Sequence, residues 1–149
     1  TNGVYSMSKH AMEAFADSLA AELEPQGVSV SILEPGPYKT KIWSTTTVRV
    51  MNNMKAAGMT PSEEQRKMVE NIAKRVRTMK EPDEVSEAVV HALFSAEPLR
   101  RYLVVPEERY ARSTIRKSLE ELVQLNQWGP YSYSRDELVK MLDEVLAEL

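Results

Sequence analysis

Apolar residues recur at helical spacing along most of the chain, and two short runs rich in β-branched residues interrupt that pattern. Five segments place apolar side chains three and four positions apart, which predicts amphipathic helices. These segments are residues 6–23, 61–77, 83–96, 114–125 and 134–149. Residues 28–33 and 101–106 have the composition of short strands, and the second run is expected to be buried. Helices that alternate with strands indicate an α/β chain.

Local signals mark where the helices begin and end. Pro25 and Gly27 are expected to stop the first helix. Thr60-Pro-Ser-Glu63 and Ser134-Arg-Asp-Glu137 each have the form of a capping box. Residues 42–59 show no clean period, and a loop is expected there.

The composition excludes several classes of protein. With 42% hydrophobic residues, the 149-residue chain can bury a normal core. A net charge of −3 with both signs interspersed argues against a nucleic-acid or anionic-membrane surface. No apolar stretch approaches the roughly 18 residues of a membrane span, and the chain has no cysteine. These features predict a cytoplasmic protein without a membrane span, disulfides or a structural metal.

Tyr5 and Lys9 stand four positions apart at the head of the first helix. Four residues are about 400° of helix, so the phenol and the ammonium project from one face about one turn apart. A phenol is a poor acid or base at pH 7 unless a nearby cation favours its phenolate form. Such a pair can give a proton to a carbonyl oxygen as hydride reaches the carbon, or remove it from an alcohol. The spacing alone is also that of an ordinary surface pair.

The order Tyr-x-x-x-Lys, helix, strand, Pro-Gly, Thr closely resembles the short-chain dehydrogenase/reductase family over residues 1–106. The resemblance implies the C-terminal part of a Rossmann-like, doubly wound parallel sheet. Residues 107–149 would then be a C-terminal extension built as a helical hairpin. The family's Gly-rich pyrophosphate turn and catalytic serine precede its tyrosine motif, and the glycines here form no G-x-G-x-x-G. The N-terminal cofactor-binding half is therefore expected to be absent, and the fragment to be inactive alone.

The resemblance also implies roles for individual residues. Tyr5 would be the catalytic proton donor and acceptor, while Lys9 would assist it and bind the nicotinamide ribose. Pro35 and Gly36 would lie against the nicotinamide ring. The backbone of Tyr38, which stands where the family commonly has a smaller aliphatic residue, would meet the carboxamide. The remaining candidates are Thr40 on the carboxamide or phosphate, and Trp43, Met51 and Met54 in a substrate loop.

The activity implied is hydride transfer between NAD or NADP and a carbonyl compound or secondary alcohol. Segment 42–59, the helix that carries His91 and the long C-terminal extension resemble those of hydroxysteroid and retinol dehydrogenases. This resemblance implies a hydrophobic alcohol or ketone as substrate. The complete enzyme is expected to be a homo-oligomer, since the family's first helix often packs against a neighbouring subunit. An alternative is a non-catalytic helical interaction module, or a family member that has lost its chemistry. The sequence leaves the choice between NAD and NADP open, because that choice is made near the adenosine ribose.

Overall fold

The computed structural model of the protein describes residues 3–148. The chain divides into two compact units, Thr1–Glu107 and Glu108–Leu149. Described residues of the first unit form four α-helices and two strands. These are α1 (Gly3–Leu23), β1 (Ile32–Pro35), α2 (Ile42–Ala56), α3 (Glu63–Arg77), α4 (Asp83–Phe94) and β2 (Arg101–Val104). The second unit contains α5 (Glu108–Leu125) and α6 (Arg135–Glu148).

The two strands pair in parallel, and three helices lie between them in the chain. Ile32 is opposite Arg101, and Pro35 is opposite Val104. The α/β prediction is confirmed, but both strands are shorter than predicted. Residues 28–31 form no ladder, because β2 begins opposite Ile32. β2 is also less buried than predicted, since Tyr102 is its one buried residue.

α1 ends where the sequence predicts. A short 3-10 turn, Glu24–Gln26, follows it, and Gly27 then adopts a positive φ of 71°. Glycine accepts this left-handed conformation without the steric cost that a Cβ imposes. The turn redirects the chain from α1 towards β1.

The expectation of a loop at residues 42–59 was wrong, because most of this segment is α2. Its half-buried residues lie on one helical face, at Trp43, Thr47, Met51 and Met54. Threonines and asparagines between them hide the period, and the Thr47 hydroxyl bonds the Trp43 carbonyl within the helix at 2.8 Å. α2 contacts α3, so the two helices form a pair. Residues 3–148 consequently contain six α-helices instead of five.

The capping box before α3 was predicted two residues too early. Ser62, not Thr60, is the N-cap, and its hydroxyl accepts a hydrogen bond from the Gln65 backbone N–H at 3.2 Å. The Gln65 side chain in turn accepts from the Ser62 N–H at 2.8 Å. Thr60 precedes Pro61, a position that disfavours entry into a helix. The helix therefore begins after the proline.

The second unit is a pair of helices joined by an asparagine-braced loop. Asn126 bonds both backbone groups of Tyr133 at 2.8 Å. The capping box predicted at α6 is confirmed, because Ser134 and Glu137 exchange hydrogen bonds of 2.7 and 3.3 Å. The Ser134 backbone N–H and the Ser134 hydroxyl each donate to the Glu137 carboxylate at 2.7 Å, and these two bonds lower the pKa of that carboxyl. Leu149, predicted to lie on the apolar side of α6, is outside the described residues.

Among the described residues, Tyr38 and Tyr102 form the buried apolar core. The Tyr102 hydroxyl accepts a hydrogen bond from the Leu99 backbone N–H at 2.8 Å, and it also lies 2.8 Å from Nδ1 of His91 on α4. His91 itself is exposed, as predicted. One hydroxyl thus fastens β2 to both α4 and the turn before the strand.

Replacing Tyr102 by Phe should lower the free energy of unfolding by about 1–3 kcal/mol, because the Leu99 N–H loses its partner beside a buried ring. Urea unfolding of the full-length protein measures the change. Tyr133→Phe, at a tyrosine that is 45% exposed, is the matched control and should change stability by less than about 0.5 kcal/mol. Equal stability of the two variants would show that the Tyr102 hydroxyl contributes nothing.

Candidate active site

Tyr5 and Lys9 lie on one face of α1, as their spacing predicts. The Lys9 ammonium sits over the Tyr5 ring, 5.6 Å from the ring centroid. That distance allows a cation–π contact, which favours the cation above the ring face. The Tyr5 side chain is 60% exposed, and Lys9 is exposed as well. In residues 3–148 no carboxylate pairs with the Lys9 ammonium. Both groups are therefore accessible to a small molecule.

The segment from Gly36 to Thr40 leaves the carboxyl end of β1, where ligands bind in open α/β sheets. Its backbone N–H groups are largely committed within the chain. Gly36 donates to the Val104 carbonyl at 2.7 Å, Tyr38 to the Gly36 carbonyl at 3.0 Å, and Lys39 to the Lys80 carbonyl at 2.9 Å. Pro37 has no N–H.

The groups of this segment that remain available to a ligand include the Tyr38 carbonyl oxygen and the Thr40 hydroxyl. In the described part of the chain, no hydrogen bond is made to the Tyr38 carbonyl or by the exposed Thr40 side chain. The backbone role expected of Tyr38 is therefore confined to its carbonyl oxygen. A carbonyl can accept a hydrogen bond from an amide NH₂.

Gly36 is required by close packing. A Cβ at this position would lie 3.0 Å from Cδ of Pro106, 3.0 Å from Cγ1 of Val105 and 3.2 Å from the Val105 backbone. Those contacts are tighter than a methyl group tolerates without movement. The glycine lets the chain after β1 pass directly against the residues that follow β2.

The substitution Gly36→Ala should lower the free energy of unfolding by about 1–3 kcal/mol, because the added methyl forces the two strand ends apart. Gly3→Ala is the matched control, since a Cβ at Gly3 meets nothing within 4 Å. Denaturant unfolding of both variants in the full-length protein measures the difference. A Gly36→Ala protein as stable as the Gly3→Ala protein would contradict the packing argument.

The Tyr38 side chain points away from the acceptor groups and into the protein, where it is 3% exposed. Its hydroxyl donates to Oε2 of Glu84, on α4, at 2.6 Å. Burial, together with the hydrogen bond to Glu84, raises the pKa of Tyr38 to about 12. The pKa of Glu84 is lowered, first by its hydrogen bond to Lys80 and then by that to Tyr38. Over the whole physiological pH range, Tyr38 is therefore a neutral hydroxyl that donates a hydrogen bond to the ionised Glu84 carboxylate.

Arginine side chains join α1 to the sheet. Arg101 on β2 bonds both carboxylate oxygens of Asp17 at 2.8 and 3.0 Å, and Arg100 bonds the Asp17 carboxylate at 2.8 Å. Arg100 also donates to the Ala16 carbonyl at 2.7 Å and to the carbonyl of Val30. Among the described residues, no hydrogen bond or ion pair links Tyr5 or Lys9 to residues 36–40. The two parts of the candidate site are connected through this cluster and the paired strands.

The predicted substrate residues lie on a helix instead of a loop. Trp43, Met51 and Met54 are half-buried on the face of α2 that carries Thr47.

In residues 3–148 no group of His, Asp or Glu side chains could hold a metal ion. Within the same residues, no helix combines the length and apolar composition needed to cross a membrane.

Sequence reasoning missed the residues that hold the site in place. Glu84 lies 46 positions from Tyr38, and Arg100 lies 83 positions from Asp17. One signal for the first contact was present. A tyrosine where a small aliphatic residue is common needs a partner for its buried hydroxyl, and the Lys80–Glu84 pair at i, i+4 marks an ordered carboxylate.

A family model described as short chain dehydrogenase matches residues 1–51. The match covers α1, β1 and the segment up to Thr40, which together hold every catalytic and cofactor candidate. The chain belongs to the short-chain dehydrogenase family. No solved structure matches it significantly.

Curated relatives of this family extend the similarity beyond the family model. The uncharacterized oxidoreductase YbbO of Escherichia coli is 37% identical over 102 residues, covering 68% of this chain and 33% of the relative. Retinol dehydrogenase 7 of Rattus norvegicus is 34% identical over 110 residues, covering 67% of this chain and 34% of the relative. An NADPH-dependent 3-dehydrocapnine reductase of Ornithobacterium rhinotracheale is 58% identical over 41 residues, covering 28% of this chain and 14% of the relative. The chain thus spans about a third or less of the length of these relatives.

Proposed function

We propose that the full-length protein containing this chain is an oxidoreductase that transfers hydride between a nicotinamide cofactor and a carbonyl compound or secondary alcohol. The observation that carries the proposal is the exposed Tyr5–Lys9 pair on one face of α1, inside the region that the family model matches. Residues 1–106 would form the C-terminal half of the Rossmann-like domain, and residues 107–149 its helical extension.

The residues at hand fit NAD or NADP. Lys9 offers three N–H donors to the hydroxyls of the nicotinamide ribose. The Tyr38 carbonyl can accept from the NH₂ of the carboxamide, and the Thr40 hydroxyl can donate to its oxygen or to a phosphate. Because Gly36 has no side chain, the backbone of residues 36–40 packs closely against Val105 and Pro106. This packing fixes the position of the acceptor groups in that segment.

When bound, the cofactor supplies a hydride to the carbonyl carbon or accepts one from the alcohol carbon. In reduction, the Tyr5 hydroxyl gives its proton to the carbonyl oxygen as the C–H bond forms, which leaves an alcohol and a phenolate. In oxidation, the phenolate removes the proton from the alcohol. Lys9 stabilises the phenolate through its positive charge.

The proposed substrate is a hydrophobic alcohol or ketone. Trp43, Met51 and Met54 give α2 a half-buried apolar face of the kind that lines adaptable pockets. The similarity to retinol dehydrogenase 7 extends over 67% of this chain, and that relative is named for a long apolar alcohol. Both observations favour an apolar substrate over a sugar or an acid.

Absorbance at 340 nm tests the proposed activity. The full-length protein is incubated with NADH or NADPH and a panel of ketones and aldehydes of increasing chain length, and with the oxidised cofactors and matching alcohols. We expect carbonyl-dependent loss of absorbance with one cofactor preferred, and a kcat/KM that rises with chain length. Absence of turnover with every pair, from a folded protein, would refute the proposal.

A further inference from the structure

The segment from Gly36 to Thr40 is fastened at three points to the first turn of α4 and to the residues just before that helix. The Tyr38 hydroxyl bonds the Glu84 carboxylate at 2.6 Å. The Lys39 backbone N–H bonds the Lys80 carbonyl at 2.9 Å, and the Lys39 ammonium pairs with the Glu81 carboxylate. Glu84 is held in turn by the Lys80 ammonium. Of these contacts, the one made by Tyr38 is the most enclosed, because that side chain is 3% exposed.

The position of the Tyr38 side chain determines what its backbone presents. The ring is packed inward and the N–H is turned onto the Gly36 carbonyl, so the Tyr38 carbonyl is the group left without a hydrogen bond in the described residues. A tight turn centred on Pro37 fixes this arrangement on one side. The Glu84 bond fixes it on the other. A hydrogen bond from a neutral hydroxyl to a carboxylate is short and stronger than one between neutral groups.

We infer that Tyr38 is a positioning residue for the nicotinamide, acting through Glu84. Its hydroxyl keeps residues 36–40 in the conformation that aims the Tyr38 carbonyl and the Thr40 hydroxyl at the carboxamide. This inference rests on the proposed function. It assigns to the Tyr38 side chain a task that a smaller aliphatic residue at the same position could not perform, because an aliphatic residue has no group to bond a carboxylate on α4.

The electrostatics of the pair are consistent with this role. Because its pKa is raised to about 12, Tyr38 stays a donor at neutral pH, and Glu84 stays an acceptor because its pKa is lowered. For Tyr38 the folded-state pKa exceeds the ordinary value of 10.0, so the buried neutral phenol with its bond to Glu84 stabilises the fold fully below pH 10. That contribution is lost as the pH rises from 10 towards 12.

The experiment is the substitution Tyr38→Phe in the full-length protein, which removes the hydroxyl and keeps the ring. We expect the cofactor KM, and the Kd measured by fluorescence of the reduced cofactor, to rise by about tenfold while kcat changes by less than about twofold. Glu84→Gln should raise both constants by a smaller factor, since an amide oxygen can still accept. The double variant should be no worse than Tyr38→Phe alone, because both changes break one contact. Tyr131→Phe, at a tyrosine that is 82% exposed, is the matched control and should change nothing.

A second measurement needs no turnover. Amide hydrogen exchange of Lys39, whose N–H bonds the Lys80 carbonyl, should be faster in Tyr38→Phe than in the wild type without cofactor. Unchanged cofactor affinity and unchanged Lys39 exchange would overturn the inference while leaving the proposed function standing. A fall in kcat at constant KM would also overturn it. A wild-type protein that binds neither NADH nor NADPH overturns both proposals.

Discussion

Replacing Tyr5 by Phe should lower kcat by about 10²- to 10⁴-fold, the range that a positioned general acid contributes. Phe keeps the ring that lies under the Lys9 ammonium and removes only the oxygen that gives or takes the proton. Because the Tyr5 side chain is 60% exposed, its hydroxyl makes no buried contact whose loss would unfold the chain. Steady-state kinetics with the preferred cofactor measure the change, and fluorescence of the bound reduced cofactor shows that binding persists.

The comparison for Tyr5→Phe is Tyr131→Phe, which removes a hydroxyl from another exposed tyrosine. We expect wild-type kinetics from this control. If Tyr5→Phe retains more than about a tenth of the wild-type kcat, proton transfer does not depend on the Tyr5 hydroxyl, because a general acid contributes at least about 10²-fold.

Replacing Lys9 by Met should lower kcat/KM by about 10²- to 10³-fold, since one preorganised donor to a charge that develops in the reaction contributes that much. Met has similar length and covers similar apolar surface, so the change removes mainly the charge and the three N–H donors. Loss of the ribose contact should raise the KM for cofactor.

Lys74→Met, at an exposed lysine of α3, gives the matched control and should leave kcat/KM and the cofactor KM unchanged. A Lys9→Met enzyme with a raised cofactor KM but an unchanged kcat would mean that Lys9 only binds the ribose. An unchanged cofactor KM would remove Lys9 from the site.

The placement of Tyr5 and Lys9 on one face of the first helix could be predicted from the sequence, because helical geometry alone brings the two side chains together. The α/β class was equally accessible, since the apolar spacing of residues 6–23 and the composition of residues 28–33 are local properties. The stop at Gly27 followed from its conformational freedom. Each of these features is set by neighbours within a few positions along the chain.

The failures have the opposite character. α2 was missed because polar residues interrupt its apolar face. Its contact with α3 is a tertiary contact that the local sequence does not reveal. Strand β1 was placed too early because its limits depend on where β2 lies, about 70 positions later. The hydrogen bond from Tyr38 to Glu84 likewise joins residues 46 positions apart. Contacts of this kind arise from tertiary packing, which local propensity does not encode.

Large apolar side chains on α1 are exposed in this chain, including Met7 at 68%, Met12 at 61% and Phe15 at 60%. Two strands cannot cover such a face, because a stable sheet needs three or more strands or a packed helix. Exposed apolar side chains of this kind favour packing against a further surface. The kinetic experiments therefore use the full-length protein.

The most direct measurement is a crystal structure of the full-length protein with its preferred oxidised cofactor. We expect the Lys9 ammonium within hydrogen-bonding distance of the nicotinamide ribose, the Tyr5 hydroxyl facing the reactive edge of the ring, and the carboxamide bonded to the Tyr38 carbonyl and the Thr40 hydroxyl. A nicotinamide that contacts only one of these two segments, or neither, would contradict the shared site proposed here.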